Sequence, residues 1–287
     1  MHAPRTVIYV WLTLAAVGLA AVPAGAQERS VRTFRSLDAV DAVFDEEPLE
    51  TDRDSFTPAT TVVGRHCLLV ETSYSFLDNR DGSETHSFPE LLTRYGLADN
   101  IELRIGWNYE IGGGGSVSGA DGLPDDEPTL AETEEEGGLL YGVKLFLNEQ
   151  DGWLPESSLI AQANTPTAGQ DTATQFTLGY VFGWTLTKDW ILDAAVRYAA
   201  ASEDDDHFNQ WAPSVVLRVP VHEQWNIHAE YFGLFSDNRE EERSPQYFSP
   251  GVHYLISPNC EIGVRVGWGL NDDAARFFTN VGLGVRR

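Results

Sequence analysis

His228, Glu230 and His253 are the residues whose types and spacing first suggest chemistry. Positions 228 and 230 share one face of an extended segment, and a histidine on the next segment can meet them, giving the ingredients of an acid/base pair or a metal cluster. Hydrolytic chemistry also needs a nucleophile, and no serine stands beside a histidine and an orienting acid. GxSxG, HExxH and a phosphate-cradling glycine loop are missing in context. These absences predict a protein that is not an enzyme, with no catalytic residues, no metal ligands and no cofactor.

The two histidines and Glu230 belong to a larger set: Glu71, Glu90, Arg94, Glu102, Arg104, Lys144, Asp193, Arg197, Arg218, His228, Glu230, His253, Glu261 and Arg265. Each falls at an alternate position of a short segment whose other positions are mainly apolar. In Glu261 to Trp268, for example, Ile262, Val264, Val266 and Trp268 take one face while Glu261, Gly263, Arg265 and Gly267 take the other. Strand geometry sends successive side chains to opposite faces, so each segment presents one apolar and one polar surface.

Such segments recur at 64–76, 86–95, 101–110, 137–147, 157–166, 174–184, 190–200, 209–219, 225–235, 247–256, 260–269 and 275–286. Their connections alternate between tight turns, as at Pro258-Asn259, and longer loops, above all 111–136. An even count of about twelve strands with short turns at one end and long loops at the other predicts an all-β fold: a transmembrane, antiparallel, up-and-down β-barrel. A bilayer offers no water to a bare strand edge, so the sheet must close, with its outer face apolar. Ten residues rising ~3.3 Å each at a tilt near ~45° cover about 23 Å, enough for the hydrocarbon band. Trp107, Trp190, Trp211, Trp225 and Trp268 fall near strand ends on the apolar register, where an interfacial girdle wants them.

The polar register then lines the lumen, where two readings stay open. Its charges line a conducting pathway, or they fill a narrow barrel with their own ion pairs and act as a plug. Arg94 and Glu102 are expected nearly opposite across a tight turn and should pair, with Glu90 and Arg104 close behind.

Three regions follow from composition. Residues 1–26 carry Arg5, an apolar stretch from Val7 to Ala21 and the small residues Ala24-Gly25-Ala26, the pattern of a cleaved signal peptide. Residues 27–60 form an acidic periplasmic arm, partly disordered, in which Asp38, Asp41, Asp45, Glu46, Glu47, Glu50, Asp52 and Asp54 read as a solvated run, with 36–47 able to form a short amphipathic helix. Residues 61–287 form the barrel. The formal charge of −25 argues against nucleic acid and against anionic membrane surfaces as partners. The expected partners are outer-membrane lipid, lipopolysaccharide and an unidentified small solute, with the chain monomeric in the outer membrane of a Gram-negative-type bacterium. Cys67 and Cys260 are expected to stay unpaired, because another strand lies between theirs and two ladders exceed disulfide reach.

The stretch Glu50-Thr51-Asp52-Arg53-Asp54-Ser55-Phe56-Thr57, then Gly64 and Glu71-Thr72-Ser73-Tyr74, resembles the opening of the MetA-pathway of phenol degradation family. Residues Pro89 to Arg104 are similar to that family's second hairpin. The resemblance spans about 50–287 and implies an outer-membrane protein that moves small solutes, aromatic or hydrophobic ones among them. Asp54 stands where the family usually carries proline, and the chain ends Val285-Arg286-Arg287 rather than on an aromatic. For Asp52 and Arg53 two readings compete: a solvated linker, or a plug folded into the periplasmic mouth against lumen charges. The expected function is a passive channel or transporter for small solutes. Its competitors are a non-transporting structural barrel with a closed lumen and an outer-membrane lipid-modifying enzyme.

Overall fold

A computed structural model describes residues 49–80, 82–113, 117–118, 134–169, 173–203, 206–239 and 242–287, all within the unit Ser36–Arg287. The signal peptide, residues 27–48 of the arm with the 36–47 helix, and most of the acidic loop 111–136 lie outside the described residues.

Thirteen strands are described: β1 Leu68–Asp78, β2 Thr85–Ala98, β3 Ile101–Gly112, β4 Glu134–Asn148, β5 Glu156–Ala168, β6 Gln175–Thr185, β7 Ile191–Glu203, β8 Asp206–His222, β9 Trp225–Gly233, β10 Phe235–Asp237, β11 Gln246–Ser257, β12 Cys260–Gly269 and β13 Phe277–Arg286. β10 continues β9 past Leu234 and pairs with the same neighbour, β8, so the wall has twelve staves. Each stave pairs antiparallel with the next, and β1 closes on β13 from Leu69↔Arg286 to Asp78↔Phe277. No described helix is long and apolar enough to cross a membrane.

Alternation dictates the wall. On β12, Glu261 and Arg265 point inward and are buried, whereas Ile262, Val264 and Trp268 are exposed. The same exposed stripe runs through Leu103, Ile105 and Trp107 on β3 and through Phe176, Leu178 and Tyr180 on β6. A continuous apolar exterior of this kind is stable against hydrocarbon.

The structure departs from the sequence expectation in four places. β1 begins at Leu68 rather than 64, because Gly64 to Cys67 form a turn, exposed over Gly64 to His66, in which the Cys67 amide donates to the Gly64 carbonyl. β7 and β8 run on to Glu203 and from Asp206, which shortens the loop between them. Arg94 has Arg104 as its Cα partner while Glu102 stands opposite Gly96, so Arg94 and Glu102 lie on a diagonal. The lumen face also carries apolar side chains, with Leu92, Leu140, Ile160 and Val181 buried among the charges. Cys67 and Cys260 are free, and β13 lies between β1 and β12.

Candidate functional site

Residues 49–63 run through the interior of the barrel. Leu49, Thr51, Asp52, Arg53, Ser55, Phe56, Thr57, Thr60 and Thr61 are all buried. An irregular segment in a closed barrel has no free strand edge to pair with, so its backbone N–H groups need other acceptors. Wall carboxylates supply them. Glu71 Oε2 accepts from the amides of Asp52 and Arg53 at 2.8 and 3.0 Å. Glu230 accepts from the amides of Phe56 and Thr57 at 2.9 and 2.7 Å and from the Thr57 hydroxyl at 2.7 Å. Glu102 accepts from the Val63 amide at 2.9 Å.

Asp52 anchors the segment. Its Oδ2 lies 2.6 Å from Arg104 Nη1 and 3.4 Å from Lys144 Nζ, and its Oδ1 lies 3.6 Å from Arg94 Nη1 while accepting from the Ala59 amide at 3.0 Å. Burial alone would raise this carboxyl, but Arg94, Lys144 and Arg104 together hold it well below the usual carboxylate range. Arg94 in turn clasps Glu102 through Nε and Nη2, both at 2.8 Å, a bidentate pair formed on the diagonal. Glu90 is not paired with Arg104; it accepts from Ser73 and from Asn280 and faces Arg53 at 3.9 Å.

Arg53 reaches the other way. Its Nη1 donates to Ser118 Oγ at 2.7 Å, and Arg265 Nη2 donates to the carbonyl of Val117 at 2.5 Å. Val117 and Ser118 come from the long β3–β4 connection, so chain enters the lumen from both ends. Across the barrel, Arg218 joins Asp193 at 2.5 Å and donates to Ser55 Oγ at 2.8 Å. The guanidinium of Arg197 sits 4.1 Å above the Phe56 ring.

Phe56 belongs to a packed apolar cluster inside the barrel. Its ring stacks on Phe232 at 4.2 Å, and Phe232, Tyr247 and Phe278 lie within 6.0 Å of one another, centroid to centroid. Sequence reasoning missed these inward rings, although a signal exists. Tyr231-Phe232, Tyr247-Phe248 and Phe277-Phe278 are adjacent aromatics, and in a strand such a pair must put one ring on each face.

The fourteen polar-register residues all project inward, and Arg218 alone among them is only part-buried. His228 and His253 meet, Nδ1 to Nε2, at 2.5 Å, but Glu230 is turned to the arm and to Arg265 instead.

A closed, lipid-faced barrel with a charged interior is the outer-membrane class, and solved structures agree on the fold. An outer membrane channel from Pseudomonas putida F1 is similar at a TM-score of 0.54 and 14% identity over 83% of this chain and 100% of that one. The NanC porin is similar at 0.50 and 9% identity over 76% of this chain and 98% of the porin. No curated protein matches the sequence. Residues 51–286 match the family model described as "Putative MetA-pathway of phenol degradation", and the chain belongs to that family.

Proposed function

We propose that this protein is a passive outer-membrane channel for small solutes whose lumen is occupied at rest by residues 49–63. The observation that carries the reading is the way the segment is held: Asp52 is bound by Arg104, Lys144 and Arg94 without a covalent link or a strand ladder. Side-chain contacts of this kind can be exchanged for water and solute. The inward charges named above would then line the pathway, with Asp52 and Arg53 as its plug.

The aromatic cluster favours apolar or aromatic solutes, because displacement of Phe56 with the segment would free the ring faces of Phe232, Tyr247 and Phe278 beside the Arg197 and Arg265 cations. This fits the family's description. Export through the signal peptide, contact with outer-membrane lipid and lipopolysaccharide, and a monomeric state complete the reading. A non-enzymatic role belongs to the same reading, in which His228 and His253 pair with each other beside Asp54 and Glu261.

A structural barrel with a permanently closed lumen is the second reading, favoured by the near-complete burial of Glu71, Lys144 and Glu102. Liposome swelling with sugars, amino acids and phenols separates the two. Swelling with any of these solutes above protein-free vesicles is expected of a channel, and no swelling with all three classes leaves only the closed barrel.

A further inference from the structure

Toward the short-turn end of the lumen, two carboxylates face a histidine, with Arg218 acting on both only from beyond ion-pair distance. His253 Nδ1 lies 3.2 Å from Asp54 Oδ2 and 3.7 Å from Glu261 Oε1. Elsewhere in the lumen a carboxylate meets guanidinium, ammonium or backbone N–H, as Asp52, Asp193, Glu102 and Glu230 do. Asp54 and Glu261 have no arginine or lysine within ion-pair distance among the described residues. Their other polar contacts are hydroxyls, Ser55 at 3.4 Å and Thr51 at 3.3 Å.

The imidazole is set for a cation. His253 is 3% exposed, and its Nδ1 makes no hydrogen bond. With the proton of the 2.5 Å contact to His228 on Nε2, the Nδ1 lone pair points at two carboxylates. Three electron-rich atoms facing one another repel unless a proton or a metal ion lies between them. The backbone leaves room for this: Gly263 is the strand partner of His253, and a Cβ there would come within 2.8 Å of Nδ1.

We propose that Asp54, His253 and Glu261 bind a first-row divalent metal ion, Zn2+ foremost, which ties the arm to β11 and β12. Donor atoms ~2.0–2.2 Å from a tetrahedral zinc stand about 3.3 Å apart. The observed 3.2 and 3.7 Å separations, with all three donor atoms inside 4.8 Å, match that edge after small rotations. One nitrogen and two oxygens suit zinc and its neighbours, and the fourth position is left for water. His228 holds the ring as the outer partner that metal-bound histidines commonly have. The site rests on the arm lying in the lumen and not on solute passage, so swelling assays and metal binding fail independently.

The test is Zn2+ titration, by calorimetry and equilibrium dialysis, of untagged, chelator-treated full-length protein folded in detergent. One Zn2+ per chain is expected. Asp54→Ala, outside every strand, and Glu261→Gln should abolish stoichiometric binding while both barrels still show the heat-shifted gel mobility of a folded wall. His228→Gln should weaken binding ~10–100-fold. Co2+ should give the intense visible bands of a four-coordinate site. Failure of folded wild-type protein to bind Zn2+ stoichiometrically overturns the proposal, as does equal binding by Asp54→Ala, which would place the metal on the acidic loops.

Discussion

Asp52 of the luminal segment and Arg104 of β3 meet at 2.6 Å, both fully desolvated. Removing the carboxylate leaves Arg94, Arg104 and Lys144 crowded in the lumen with only Glu102 and Glu71 as counter-charges in contact among the described residues. Breaking a buried pair from one side costs roughly 3–5 kcal/mol. That exceeds what the neighbouring amide hydrogen bonds return at ~0.5–1.5 kcal/mol each. Asp52→Ala should therefore release the segment, and trypsin should cut after Arg53, which is 2% exposed in the intact protein. A cleavage rate equal to wild type would show that Asp52 does not hold the segment.

Arg53 joins the segment to chain from the opposite mouth through Ser118 and faces Glu90. Arg53→Ala cuts that bridge without touching a wall strand. Single-channel conductance in planar bilayers should rise, with more frequent transitions to the open level. Unchanged conductance would remove Arg53 from the plug.

The wall was legible because alternation is local: Ile262, Val264 and Trp268 announce their face within one strand. The contents of the lumen were legible only as one of two readings of Asp52 and Arg53, a linker or a plug, and the partners that hold them were not. Residues 49–63 have no period, since their partners, such as Glu71 for Asp52, Glu230 for Phe56 and Glu261 for Thr51, are fixed by the closed barrel and lie up to 210 residues away. Asp52 and Asp54 read as part of a solvated acidic run, yet the wall surrounds both, and Asp52 is fully buried. His253 was legible as a partner of His228 but not of Asp54, a contact that no spacing encodes.

Phe56→Ala removes the ring stacked between Phe232 and Arg197. Losing a buried aromatic costs about 3–5 kcal/mol, here drawn from docking of the segment because the ring belongs to no strand. The space left by the ring should speed phenol entry in liposome swelling more than it speeds sugar entry. Equal acceleration of both solutes would mean that the aromatic cluster does not select for rings.

Val264 is 42% exposed at the centre of β12, flanked by Val252 and Val281 on the neighbouring strands. If that face meets hydrocarbon, Val264→Arg must bring a guanidinium into it, at a cost of ~2–4 kcal/mol near the bilayer midplane. A surface facing water would accept the same change within about 0.5 kcal/mol. Urea titration of folding into lipid vesicles should show a lower midpoint with an unchanged slope, since the wall buried on folding stays the same. The adjacent Arg265 makes the contrast internal: one residue along the strand a guanidinium is already accommodated, 3.3 Å from Glu230. An arginine tolerated at 264 as well would mean that the apolar stripe does not face lipid, and the membrane-spanning reading would fail with it.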